Sequence, residues 1–158
     1  MEAWITSLVT TSIHEYVHML QWDRVGVRTA DLYAQEAQAY GVQICTTWFA
    51  NDVVPDVVYK FPPLLQEAVG DYQDIPVAEI ISQSRDQNES PTFAGMGAAV
   101  LTFHRFFTEL KEHEKKPAVI SQALPLCRAI ARGDLVWSDK AIDATISEFA
   151  RTAKRPDP

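Results

Sequence analysis

Apolar side chains recur along this chain at the three- and four-residue intervals of helices that turn one face inward. In residues 2 to 22 they cover nearly every face, with Trp4, Ile5, Leu8, Val9, Ile13, Val17 and Leu20. A helix hydrophobic all round belongs in the middle of a fold, so this one is expected at the centre. Asp23 to Arg28, with Gly26, reads as a connector. Thr29 is the expected N-cap of a second helix, with Asp31 set against the dipole in its first turn. Tyr33, Ala37, Tyr40, Ile44 and Trp48 carry its inward stripe to about Ala50, where Asn51 and Asp52 are expected to stop it.

Pro55, Pro62 and Pro63 break the stretch from Val53 to Tyr72, and residues 53–59 are expected as either a short strand pair or an extended loop. Pro76 opens a short helix to about Arg85, and Asp86 to Pro91 forms a polar loop. A long helix follows from Thr92 to about Lys115, with Ala98, Leu101, Phe106 and Leu110 inward. Pro117 restarts a helix that ends at Gly133, a favourable residue just past a helix end. Ser138 is expected to cap the last helix, which turns Ile142, Ile146 and Phe149 inward. The fold class is therefore mainly α: a multi-helix bundle in one domain over residues 1–153, with 154–158 a frayed tail.

Composition narrows the function. Fourteen basic against twenty-one acidic side chains leave a net charge of −7, and the densest basic run, Lys115-Lys116, adjoins Glu112 and Glu114. No basic footprint exists for a phosphate backbone, which excludes a nucleic-acid partner. The apolar N-terminal stretch is interrupted by Glu2, His14, Glu15 and His18, so no membrane span is expected. It also lacks the basic start and small-residue cleavage site of a signal peptide, giving a soluble protein, cytoplasmic by default. Cys45 and Cys127 lie far apart and form no C-x-x-C pair, which reads as two small buried hydrophobes in a reduced protein.

One motif carries chemistry: His14-Glu15-Tyr16-Val17-His18, an H-E-x-x-H on a helix. Residues four apart share a helix face, so two imidazoles can converge on one metal ion. The glutamate beside the first histidine is placed to take a proton from water in the open coordination position. Without metal, the two histidines would be core polar groups satisfied by their neighbours. A catalytic zinc needs a third protein ligand. Glu36, eighteen positions after His18, sits among Tyr33, Ala37 and Tyr40 on or beside the apolar stripe. A carboxylate there is either neutralised by a partner or placed at the stripe's edge, reaching water. Asp31 and Glu67 are weaker ligand candidates.

His14-Glu15-Tyr16-Val17-His18-Met19-Leu20-Gln21, followed by Glu36-Ala37-Gln38-Ala39-Tyr40, resembles the gluzincin metallopeptidases, the thermolysin-like group. The resemblance implies zinc as cofactor, His14, His18 and Glu36 as its ligands, and Glu15 as the general base. It also implies a peptide or protein substrate, and a close helix approach at the small Ala39. Gluzincins align their substrate on a sheet that precedes the motif helix, whereas only thirteen residues precede His14 here. A sheet would come from further N-terminal sequence or from a partner. Failing that, either substrate is held differently, or the chain is a non-catalytic helical interaction module with a structural or relic metal site.

Other zinc patterns fail on spacing. Metzincins need a histidine six residues after the second, where Arg24 stands, and deformylases need an upstream cysteine, which His14 lacks. The P-C-x-x-C half of a zinc deaminase is absent. His104, between Phe103 and Phe106, is expected to be partly buried and could support a site; His113 is expected in solvent. Tyr40 and Tyr59 are candidate donors to a developing oxyanion. Gly95-Met96-Gly97 points to close helix packing rather than a phosphate cradle, since the P-loop lysine is missing.

Overall fold

The structure, a computed structural model, describes residues 2–25, 31–53, 74–114 and 120–153. Six α-helices account for most of them: α1 Glu2–Val25, α2 Leu32–Val53, α3 Val77–Asp86, α4 Pro91–Glu114, α5 Leu124–Arg132 and α6 Ile142–Thr152. A 3-10 turn, Ile120–Ala123, leads into α5. No strand occurs among the described residues, and the bundle is mainly α as the periodicity predicts. The strand pair expected near 53–59 falls outside the described residues, except that Val53 is the last residue of α2. Asn51 and Asp52 therefore do not stop that helix.

The centre is the pair α2 and α4. Alanines at 37, 98 and 99 are almost fully buried between larger side chains and let the two helices come close. All four inward positions expected on α4, Ala98, Leu101, Phe106 and Leu110, are buried. Trp48 of α2 meets Phe103 edge-on at 4.9 Å and Phe107 at 5.2 Å. Helices α3 and α6 cover α4, and α5 covers α2. Gly41 makes the last contact possible, because a Cβ there would lie 2.8 Å from the Ile130 side chain. No helix among the described residues is long and apolar enough to cross a membrane.

The motif helix is not at the centre. Among the described residues its one substantial helix partner is α2. It buries Val17 with the polar Thr10, His14 and Gln21, while Tyr16 (58% exposed), Met19 (68%) and Trp22 (62%) face outward with Leu8 and Val9. Counting apolar residues around α1 misplaced it, because its inward face is chosen by hydrogen-bonding groups rather than by hydrophobic area.

The ends differ from expectation in similar detail. Asp31 itself caps α2, accepting from the Tyr33 N–H at 3.1 Å, and its carboxylate pairs with Arg85; Thr29 lies outside the described residues. Helix α5 starts at Leu124, after the 3-10 turn, while Pro117 lies outside the described residues. It ends at Gly133, whose φ of +76° needs a residue without Cβ. Ala141, not Ser138, precedes α6, and the Asp139 carboxylate accepts from its N–H at 2.8 Å.

The cysteines are also corrected. Cys45 on α2 and Cys127 on α5 form a disulfide across a sequence separation of 82, with Cα atoms 5.9 Å apart. Helix packing creates that proximity, and nothing in the spacing announces it. Disulfides persist in oxidising compartments, so neither the reduced state nor a cytoplasmic default follows from the sparse cysteines.

Candidate metal centre

Helix geometry places His14 and His18 one turn apart on the face of α1 that meets α2. Their Nε2 atoms approach to 3.0 Å, with the rings edge to face. Glu36, one turn into α2, offers one carboxylate oxygen to each ring: Oε2 lies 3.4 Å from His14 Nε2, and Oε1 lies 3.4 Å from His18 Nε2. These three residues are the only group among the described residues arranged to hold a metal ion. The sequence candidates His14, His18 and Glu36 thus converge, although seventeen residues separate the last two.

The donor set fits a small divalent cation. Tetrahedral ligands about 2.0–2.1 Å from zinc stand about 3.3 Å from one another. The two Nε2 atoms stand 3.0 Å apart and each lies 3.4 Å from a different Glu36 oxygen, so that one ligand atom from each residue lies within 4.8 Å of the others, near that spacing. Glu36 Oε2 is buried without a hydrogen-bond partner, as is His14 Nδ1. A buried carboxylate oxygen in that condition is costly, and a cation beside it removes the cost. Burial, then the neighbouring His18, hold the His14 pKa below its ordinary 6.5 against the opposing pull of Glu36 and Glu15. His14 is consequently neutral at pH 7, the state a ligand requires. The His18 and Glu36 side chains keep 21% and 19% of their exposure, so the centre remains open to solvent on one side.

Glu15 is exposed, next to His14 in sequence. Tyr40 lies against the His14 ring, with centroids 4.3 Å apart. Asp31 is occupied by Arg85 and by its capping role, while Glu67 and Tyr59 fall outside the described residues. His104 is exposed, contrary to the expectation from its phenylalanine neighbours, because its own position on α4 faces away from α2, α3 and α6. His113 is exposed near Glu109.

Three residues at the centre escaped sequence reasoning. Gly95 on α4 lies directly against Glu36: a Cβ there would press on the Glu36 Cβ and sit 2.7 Å from the Ala37 nitrogen. The expectation of close packing at this glycine is met, but its neighbour is Glu36, the candidate third ligand. Gln21 and Gln38 extend the centre on the other side: Gln21 meets His18 at 2.8 Å, and Gln38 meets Gln21 at 2.9 Å. Gln21, three residues beyond the second motif histidine, was a readable signal, since that spacing returns to the same helix face. No protein-family model, curated protein or solved structure matches this chain.

Proposed function

We propose that this chain is a zinc-dependent hydrolase that cleaves a peptide bond, with His14, His18 and Glu36 holding the metal and Glu15 serving as base. The observation that carries the reading is the convergence of three ligand side chains from two helices around a buried carboxylate oxygen with no hydrogen bond. Zinc bound there supplies Lewis acidity, polarising a carbonyl and lowering the pKa of water toward about 7. The neutral His14 brings no charge to repel the cation, and Glu36 offsets part of the cation's charge. The partial exposure of His18 and Glu36 gives water and substrate an approach. Glu15, exposed and next to His14 in sequence, accepts a proton from the attacking water and returns it to the leaving amine.

A non-catalytic metal site is the second reading, favoured by one observation: no strand among the described residues could align an extended peptide. Metal analysis and peptide-cleavage assays on Glu15→Gln separate the two. The hydrolase reading expects one zinc per chain in both proteins and a fall in kcat/KM of roughly 10²–10⁴-fold in the variant. Zinc-loaded wild type that cleaves no peptide would leave the structural site. Protein that takes up no zinc would remove both.

A further inference from the structure

The hydrogen bonds around Gln21 fix more than its position. Gln21 Nε2 lies 3.0 Å from the Gln35 carbonyl oxygen and 2.9 Å from Gln38 Oε1. A backbone carbonyl can only accept, so the Gln21 amide nitrogen must face it. Gln38 is fixed in the same way, since its Nε2 donates to the Ile130 carbonyl at 2.9 Å. Its Oε1 is left to accept from Gln21. With both amides oriented by carbonyls, Gln21 Oε1 must be the atom 2.8 Å from His18 Nδ1. That oxygen can only accept, so His18 carries its proton on Nδ1. In the neutral ring, Nε2 is then bare and aimed at His14 and Glu36.

We propose that Gln21 and Gln38 are positioning residues that hold His18 in its metal-ready tautomer, anchored through Ile130 to the C-terminal end of α5. The consequence for metal affinity rests on the zinc reading above, whereas the tautomer itself does not. Groups that accept from the second nitrogen of a ligating imidazole fix its orientation and raise its basicity. Here the acceptor is a carboxamide, clamped by two further hydrogen bonds instead of by a charge. The two histidines therefore differ. His18 is set before metal arrives, while in the metal-free protein His14 donates its Nε2–H to His18 across the 3.0 Å contact. To ligate through Nε2, His14 must move that proton to Nδ1, which is buried without a partner. His18 is the preset ligand and His14 the adjusting one.

The test reads the tautomer directly. Long-range nitrogen–proton NMR spectra of the metal-free full-length chain should show His18 protonated at Nδ1 and His14 at Nε2. In Gln21→Met, which keeps the side-chain length but removes the acceptor, the His18 preference should be lost. Zinc affinity, measured by competition with a chromophoric chelator, should fall roughly 10–100-fold. Gln38→Met should produce the same change to a smaller degree, because Gln21 keeps its bond to the Gln35 carbonyl. His18 protonated at Nε2 in the wild type would overturn the proposal before any variant is made. So would Gln21→Met binding zinc as tightly as the wild type. A wild type with the Nδ1 tautomer that takes up no zinc would uphold the relay and remove the metal reading instead.

Discussion

A missing methyl group at position 95 sets how near α4 comes to Glu36, the candidate third ligand. Gly95→Ala would bring its Cβ against Glu36 and the Ala37 nitrogen, neither of which can retreat inside a packed helix pair. Overpacking of this kind costs about 1–3 kcal/mol, which outweighs the roughly 1 kcal/mol gained in helix propensity. Denaturant unfolding should show Gly95→Ala destabilised, and its zinc affinity should drop as Glu36 is displaced. Gly97→Ala is the control, since a Cβ there meets nothing within 4 Å. It should stabilise by about 0.4–1 kcal/mol. At this scale the sequence was legible where spacing or charge gave a residue away. His14 and His18 stand one turn apart, and Glu36 is a carboxylate on an apolar stripe. Gln21 and Gln38 were not legible as a relay, because a glutamine on a helix is ordinarily a solvent-facing residue. Gly95 could be read as a contact point without naming what it touched.

Helices show a different balance. Those with apolar inward faces, α2, α4 and α6, were readable because burial of hydrophobic area positions them. Helix α1 was misplaced because its inward face holds the polar Thr10, His14 and Gln21, and its docking on α2 is partly polar, through Gln21 on the Gln35 carbonyl and the histidines beside Glu36. Such docking should respond to anything that changes the state of the centre. Zinc at a hundredfold excess over its dissociation constant should stabilise the native chain by about 2.7 kcal/mol. Melting curves should rise with zinc and fall with chelator, whereas His18→Ala should melt alike in both. The pH dependence follows from His14. Its pKa is lowered in the folded protein, so the unfolded chain binds the proton first as pH falls. The metal-free protein should lose stability as pH drops below about 6.5, and level off once folded His14 is itself protonated. A metal-free midpoint that does not change on acidification through this window would contradict a buried neutral His14.

Across the whole molecule, α2 is the member that most of the other helices use, although α6 packs on α4 instead. It meets α1 through the centre, α4 through small residues, and α5 through Gly41, Gln38 and the Cys45–Cys127 bond. Opening the disulfide in Cys45→Ser/Cys127→Ser should cost about 2–5 kcal/mol, read as a lower unfolding midpoint. The covalent bond also gives the chain the topology of a lariat. Its closed ring runs from Cys45 to Cys127, and α1 lies wholly on the open tail. A backbone nick in the turn between α3 and α4 leaves the two pieces joined until thiol is added. A nick at a protease site introduced between Val25 and Asp31 instead yields a separate peptide that carries His14 and His18, with Glu36 retained by the body. That peptide can then be held only by its contacts; on the proposed zinc reading the metal becomes the clasp between two molecules, and adding chelator should set the histidine-bearing piece free.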